Sequence, residues 1–260
     1  GQGYLWKKDK ISLTTPEEKR LLEICENCNN SYIDDKTTLG DPTEIALKVL
    51  TRKAQYVKEY KELDEKVFTS ERKMMSSLHK VGKERMVMAK GAFEEIIKKS
   101  THIYKDGKVK KITPSDKLKY RKLAEKYAKE ALRVLGFAYK IEKKGFTESS
   151  LVFVGLIGMA DPPRKTVKHS IEIAQKAHIK IKIITGDNAI TAKAVGEQIG
   201  LNVTNVVTGD ELDKMSDREL KKVLKTTQIF ARTKPQHKYR IVDLLKKNHE
   251  VVAVTGDGVN

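Results

Sequence analysis

From residue 151 onward, apolar runs at residues 151–158, 180–184, 205–208, 228–231 and 250–254 alternate with amphipathic stretches at 163–177, 188–199, 216–225 and 235–247. Strands joined by helices of about 10–15 residues re-enter a sheet in the same direction, so the alternation predicts a parallel sheet with helices on its faces. In such sheets ligands bind beyond the C-terminal ends of the strands. Two of those ends carry a carboxylate in a glycine-flanked loop, Thr185-Gly186-Asp187-Asn188 and Thr255-Gly256-Asp257-Gly258-Val259-Asn260. A third, Ala-Arg-Thr-Lys-Pro-Gln-His-Lys at residues 231–238, opens a helix with Lys238 in its first turns.

The first part of the chain has a different rhythm. Thr15-Pro16-Glu17-Glu18 reads as a capping box with proline at the first helical position, and Asp41-Pro42-Thr43-Glu44 is a near copy. Strand-like segments follow at 66–69, 72–79 and 84–90, then a hairpin over 101–112 turning on Asp106-Gly107, a helix from Ser115 to about Leu132 and a strand at 134–141. Adjacent strands flanked by helices predict an α+β domain with an antiparallel sheet. The fold class expected is therefore α/β, with an α+β domain over residues 1–158 and a Rossmann-like parallel domain over 159–260. Asp161-Pro162-Pro163-Arg164 marks the junction, where paired prolines stiffen the connection and start the next helix.

Composition narrows the function classes. The 260 residues carry a formal charge of +17, which suits an anionic partner such as a nucleotide. Nucleic acid is not expected, because the lysines are spread along helical faces and the few aromatics are not interleaved with basic patches. No apolar stretch approaches the roughly 18–20 residues of a membrane helix, and no cationic, apolar leader is visible, so a soluble chain is expected. Cys25 and Cys28 form one C-x-x-C without a second ligand pair, which predicts reduced, partly buried thiols rather than zinc.

The strand-end motifs point to phosphoryl transfer, which needs positioning, charge neutralisation on the equatorial oxygens and a metal between enzyme and substrate. Thr185 can offer a hydroxyl and an N–H, Gly186 allows close approach, Lys238 supplies a point charge, and Asp257 a hard oxygen for Mg²⁺ with Asn260 beside it. Singly, each motif is common.

In their order, Thr185-Gly186-Asp187, Lys-Pro-Gln-His-Lys at 234–238 and Thr255-Gly256-Asp257-Gly258-Val259-Asn260 resemble the motifs of haloacid-dehalogenase-type phosphotransferases in their P-type ATPase form. Asp161-Pro162-Pro163-Arg164 resembles that family's hinge. Gly40-Asp41-Pro42-Thr43-Glu44, the segment Phe68-Thr69-Ser70-Glu71-Arg72-Lys73, Lys90-Gly91-Ala92 and Arg133-Val134-Leu135 are similar to the nucleotide-binding domain of type II cation pumps, the Ca²⁺-ATPase and Na⁺,K⁺-ATPase branch. The resemblance implies ATP and Mg²⁺ as ligands. Phe68 would stack on adenine, Glu44 would bond its exocyclic amine, and Lys73, Lys90 and Gly91 would line the pocket. Arg133 would reach the phosphates, and Arg232 and Asp187 would help dock the nucleotide. It also implies an integral membrane pump whose membrane and actuator domains would be partners, this portion facing the cytoplasm. Taken singly, Glu44 could be a helix cap, Phe68 a core residue and Lys90 a solvated strand residue.

Departures from the pattern qualify the activity expected. The family's nucleophile lies in an Asp-Lys-Thr-Gly-Thr motif, which the sequence lacks. Asp35-Lys36-Thr37-Thr38-Leu39 has neither the preceding apolar strand nor the glycine, and Pro163 stands where a phosphatase of this class would carry an acid-base aspartate. Both ends of the chain read as cut, and ATP binding without turnover is expected. The alternatives are a soluble phosphatase of the same class and a non-catalytic nucleotide-binding module.

Overall fold

The computed structural model describes residues 11–34, 37–160 and 162–256. They divide into two compact units, the first containing residues up to Ala124 together with Val134–Met159, the second Glu125–Arg133 and the residues from Ala160 onward.

The first unit is built from helix α1 (Pro16–Asn27), the short ribbon β1 (Tyr32–Ile33) and β2 (Thr38–Leu39), helix α2 (Pro42–Lys53), strands β3 (Lys61–Lys66), β4 (Met74–Val81) and β5 (Glu84–Ala92), helix α3 (Phe93–Lys99), hairpin β6 (Ser100–Lys105) and β7 (Lys108–Lys111), helix α4 (Pro114–Lys129) as far as Ala124, and strands β8 (Leu132–Ile141) from Val134 and β9 (Leu151–Ala160) as far as Met159. Seven strands form one sheet in the order β3-β4-β5-β8-β9-β6-β7. The pairs β3–β4, β4–β5, β5–β8 and β6–β7 are antiparallel, whereas β6 runs parallel to β9.

Period-two alternation sorts the side chains of this sheet into two cores. Met75, Met86, Met88, Phe137, Tyr139, Val152 and Val154 pack with Ile24 and Cys25 of α1, Cys28 just beyond its end and Leu47 of α2. Met74, Ala89, Ala138, Leu151 and Phe153 pack with Phe93, Ile96, Ile97 and Ala124 from α3 and α4. This double cover explains one correction: the run at 151–158 is not the first strand of the parallel sheet but β9, set inside the seven-stranded one. A strand covered on both faces is apolar throughout, whichever sheet holds it.

The start of α1 behaves as its sequence predicts. The Thr15 hydroxyl accepts from the Glu18 N–H and the Glu18 carboxylate from the Thr15 N–H. Asp41 caps α2 from its side chain to the Thr43 N–H, but Glu44 does not close a box, its carboxylate being turned elsewhere. The β6–β7 hairpin turns on Asp106 and Gly107, both at positive φ, 54° and 71°, as a tight two-residue turn requires. The strand expected at 66–69 lies earlier, as β3. Its sequence Lys-Glu-Leu-Asp-Glu-Lys has no apolar face, and backbone pairing with β4 alone makes it a strand.

The second unit contains α5 (Val167–Lys176), β10 (Ile183–Ile184), α6 (Ala189–Gln198), β11 (Val206–Thr208), α7 (Gly209–Lys214), α8 (Asp217–Thr226), β12 (Ile229–Ala231) and α9 (Pro235–Lys247). Its sheet is parallel, in the order β10-β12-β11. Val207, Leu212, Leu220, Leu224, Phe230, Ile241 and Leu244 form one core, and Ala192, Ile199, Leu201, Val203, Ile229 and Ala231 another. Helix α5 begins at Val167, later than the prolines suggest. The run at 251–254 is not a strand: Val251 and Val254 are fully and three-quarters exposed, without a neighbouring strand among the described residues. No helix among the described residues is long and apolar enough to cross a membrane.

Candidate functional site

In the first unit, five of the predicted residues gather around one end of the β4–β5 pair. Lys90 on β5 is buried, and its ammonium donates to Glu44 Oε1 at 2.6 Å. The other oxygen, Glu44 Oε2, accepts from the Asn30 N–H at 3.2 Å, and the Asn30 amide donates to Glu65 of β3 at 3.0 Å. Three residues past Glu65 stands Phe68, 58% exposed and outside any strand. The chain then turns: the Lys73 N–H donates to the Thr69 carbonyl at 2.8 Å, Lys73 has φ 52°, and its carbonyl accepts from Ala92 at 2.8 Å. Gly91 completes the circuit. A Cβ there would lie 2.5 Å from the Lys73 carbonyl oxygen, so only glycine permits this approach of backbones.

This ring has the chemistry of a cradle. An exposed aromatic on a turn is not a core residue, so packing gives no reason for Phe68 to be there. Lys90 is held by a charge-assisted bond. Beneath it, Cys25 and Cys28 are free, fully buried thiols, more enclosed than expected from sequence. Burial pushes both upward in pKa against the opposing pull of Lys90.

In the second unit, Thr185 follows β10 directly, its N–H donating to the Phe230 carbonyl of β12 at 2.9 Å. Its hydroxyl donates to Asp187 Oδ2 and accepts from the Asp187 N–H, both at 3.1 Å, leaving exposed Gly186 at the tip. The loop after β12 closes against this one: Arg232 N–H to the Asp187 carbonyl at 2.8 Å, and Thr233 N–H and hydroxyl to the Thr185 carbonyl, each at 3.0 Å. Arg133 Nη2 stands 3.8 Å from Asp187 Oδ1, both side chains about half exposed. Thr185, Gly186, Asp187, Arg232 and Arg133 are thus brought together. Lys238, half-buried, lies one turn into α9.

Two side chains that sequence reasoning passed over brace this second loop. His237 is buried, its Nδ1 accepting from the Lys234 N–H at 3.1 Å and its Nε2 bonded to Asp213 Oδ1 at 2.7 Å. The bond to His237, followed by that to Lys234, holds the Asp213 carboxyl below its ordinary range. Arg232 has φ 54°, and its carbonyl oxygen would lie 2.3 Å from a Cβ on Gly209, so α7 starts in direct backbone contact with the loop. His237 sits in the quoted Lys-Pro-Gln-His-Lys motif, but Asp213, remote in sequence, carried no signal.

Asp257 and Asn260, and with them the predicted Mg²⁺ ligand, lie outside the described residues, as do Asp35 and Asp161. Among the described residues no group of three His, Cys, Asp or Glu side chains could hold a metal. The donor set on view, one carboxylate already engaged by Thr185 and Arg133, does not by itself make a Mg²⁺ site.

Residues 17–166 match the family described as "P-type ATPase, cytoplasmic domain N", more than half of the chain. The chain belongs to the P-type ATPases. Residues 119–260 match the haloacid dehalogenase-like hydrolases, the fold that carries the Thr185 and Lys238 loops. "Calcium-transporting ATPase 1" of Bacillus cereus is 38% identical over 264 residues, covering 97% of this chain and 30% of that protein. "Calcium-transporting ATPase 1" of Saccharomyces cerevisiae is 38% identical over 271 residues, covering 95% of this chain and 28% of its own length. The human "Calcium-transporting ATPase type 2C member 1" is 34% identical over 254 residues, 94% of this chain and 27% of that one. The chain spans about three tenths of the length of these P-type ATPase relatives.

Proposed function

We propose that this chain is the cytoplasmic ATP-binding and phosphoryl-transfer portion of a type II cation-transporting P-type ATPase, with calcium as cargo and an aspartyl-phosphate intermediate in the whole protein. The observation that carries the reading is the ring around Phe68: an exposed aromatic, a glycine-permitted close approach, and a lysine–glutamate pair at one sheet end. Adenine stacks on Phe68 and its exocyclic amine reaches the Glu44 carboxylate, while Lys73 and Lys90 supply positive charge and Gly91 room. In the second unit Thr185, Gly186, Asp187 and Lys238 surround the γ-phosphoryl group while it passes from ATP to the nucleophilic aspartate of the whole protein, and Arg133 and Arg232 are cations for phosphate. Asp257 would hold Mg²⁺, which would supply charge neutralisation on the transferring oxygens, with Asn260 beside it. Domain limits near residues 158–159 fit this division of labour. The whole protein would work with membrane and actuator domains, this portion at the cytoplasmic face.

The calcium assignment is supported by the names its relatives carry. Because the 260 residues contain no Asp-Lys-Thr-Gly-Thr motif, this chain alone is expected to bind ATP without forming a phosphoenzyme. With one stacking contact and a few exposed charges, the dissociation constant should be about 0.1–1 mM. Calorimetric titration with ATP tests the proposal. Phe68→Ala should weaken binding about tenfold, in keeping with a base–aromatic stack of roughly 1–3 kcal/mol, and an unchanged affinity would remove the base site.

A further inference from the structure

The turn that carries Phe68 is not held by the sheet alone. It lies between β3 and β4, and its own bonds are short-range: Arg72 N–H to Thr69 Oγ1 at 3.2 Å and Lys73 N–H to the Thr69 carbonyl at 2.8 Å. A turn held by a few local bonds and carrying an exposed aromatic would open readily unless something outside it were attached. That attachment is the connection between β8 and β9. Glu148 within it is largely buried and forms an ion pair with Arg72 Nη2. The same Oε1 accepts from the Ser76 hydroxyl of β4 at 2.6 Å. Arg72 uses its other nitrogen, Nη1, to donate to the Val67 carbonyl at 2.7 Å, gripping the residue before Phe68. On the opposite side of the turn Lys66 Nζ donates to the Phe146 carbonyl at 2.9 Å.

Resting on the ATP reading above, we infer that Glu148 is a positioning residue for adenine. Through Arg72 and Ser76 it clamps the backbone on both sides of Phe68, so that the ring is presented in one orientation before ligand arrives. A base stacks on a ring whose direction is set, and an aromatic on a loose turn must first be ordered, which subtracts from affinity. Glu148 itself needs no contact with the ligand, and its charge is consumed by Arg72.

The test compares wild type, Phe68→Ala, Glu148→Ala and Glu148→Gln for binding of ATP and of inorganic tripolyphosphate, with amide exchange followed at Arg72 and Lys73. Glu148→Ala should weaken ATP about three- to tenfold, leave tripolyphosphate within about twofold, and speed exchange of the two amides about tenfold or more. Glu148→Gln keeps an acceptor oxygen for Arg72 and Ser76 and should stay near wild type. Should Glu148→Ala not fold, Ser76→Ala removes one anchor and should act in the same direction with smaller amplitude. Unchanged ATP affinity in Glu148→Ala, with Phe68→Ala weakened, overturns the inference alone. Equal losses for ATP and tripolyphosphate also overturn it, since a base-positioning clamp has no reason to affect a ligand without a base. Unchanged ATP affinity in Phe68→Ala removes the nucleotide reading itself, and the inference with it.

Discussion

Lys90 stands where a solvated strand lysine was one reading of the sequence, yet 6% of it is exposed and its ammonium meets Glu44 at 2.6 Å. Removing one member of a buried pair leaves the other charge without compensation. Lys90→Met should therefore destabilise the first unit by about 3–5 kcal/mol in urea unfolding. Glu44→Gln keeps one acceptor oxygen for Lys90 but loses either that bond or the one from the Asn30 N–H, and it leaves the buried ammonium without a counter-charge, so it should destabilise the unit as well. His79, buried on β4 with Nε2 2.8 Å from the Ser77 hydroxyl, gives a pH signature. Burial, its dominant influence, lowers its pKa below the ordinary histidine value. The unfolded chain therefore binds the proton more readily, and the contribution of neutral His79 is complete above about pH 6.5 and lost as pH falls below it. The unfolding midpoint should drop between pH 7 and 5, with a shallower slope in His79→Gln. An equal slope in the two proteins would place the acid sensitivity elsewhere. The buried thiols of Cys25 and Cys28 should resist maleimide until the unit unfolds.

At the scale of elements, the candidate ATP site depends on how closely β4 and β5 approach at one end. Gly91 pairs with Met74, and a Cβ at 91 would meet the Lys73 carbonyl at 2.5 Å and Met74 Cα at 2.6 Å, both backbone atoms that cannot swing aside. Gly91→Ala should thus push the Lys73 turn away from β5. The expected result is a loss of stability of about 1–3 kcal/mol together with weaker ATP binding, measurable in one thermal-shift titration with nucleotide. The cap of α1 offers a control far from this end: Thr15→Ala loses its bond to the Glu18 N–H and should cost about 1 kcal/mol while leaving ATP affinity unchanged. Both elements differ from β3, whose charged sequence announces nothing and whose existence depends on pairing with β4.

For the whole molecule, two units with separate cores should respond separately to ligand. ATP at about ten times its dissociation constant stabilises the state that binds it by roughly 1.4 kcal/mol. Hydrogen exchange should therefore slow in β4 and β5 and stay unchanged in β11 and β12; slowing in both units would assign the ATP response to the chain as a whole. With a formal charge of +17, affinity for ATP should also fall as salt rises. The sequence by itself determined the family, the caps of α1 and α2, the Asp106-Gly107 hairpin and α9, because each is encoded by residues a few positions apart whose local chemistry admits one conformation. It also singled out Phe68, Lys90, Gly91, Thr185 and Asp187 through short motifs. Only the tertiary structure decided that the apolar run of β9 belongs to the seven-stranded sheet, since an apolar strand reads the same in any sheet that covers both its faces. It likewise decided that residues 251–254 lack a strand partner among those described, and that Lys90 answers Glu44, Glu148 answers Arg72 and Asp213 answers His237. Such pairings join residues 24–76 positions apart, and long-range contacts of that kind leave no periodic trace along the chain.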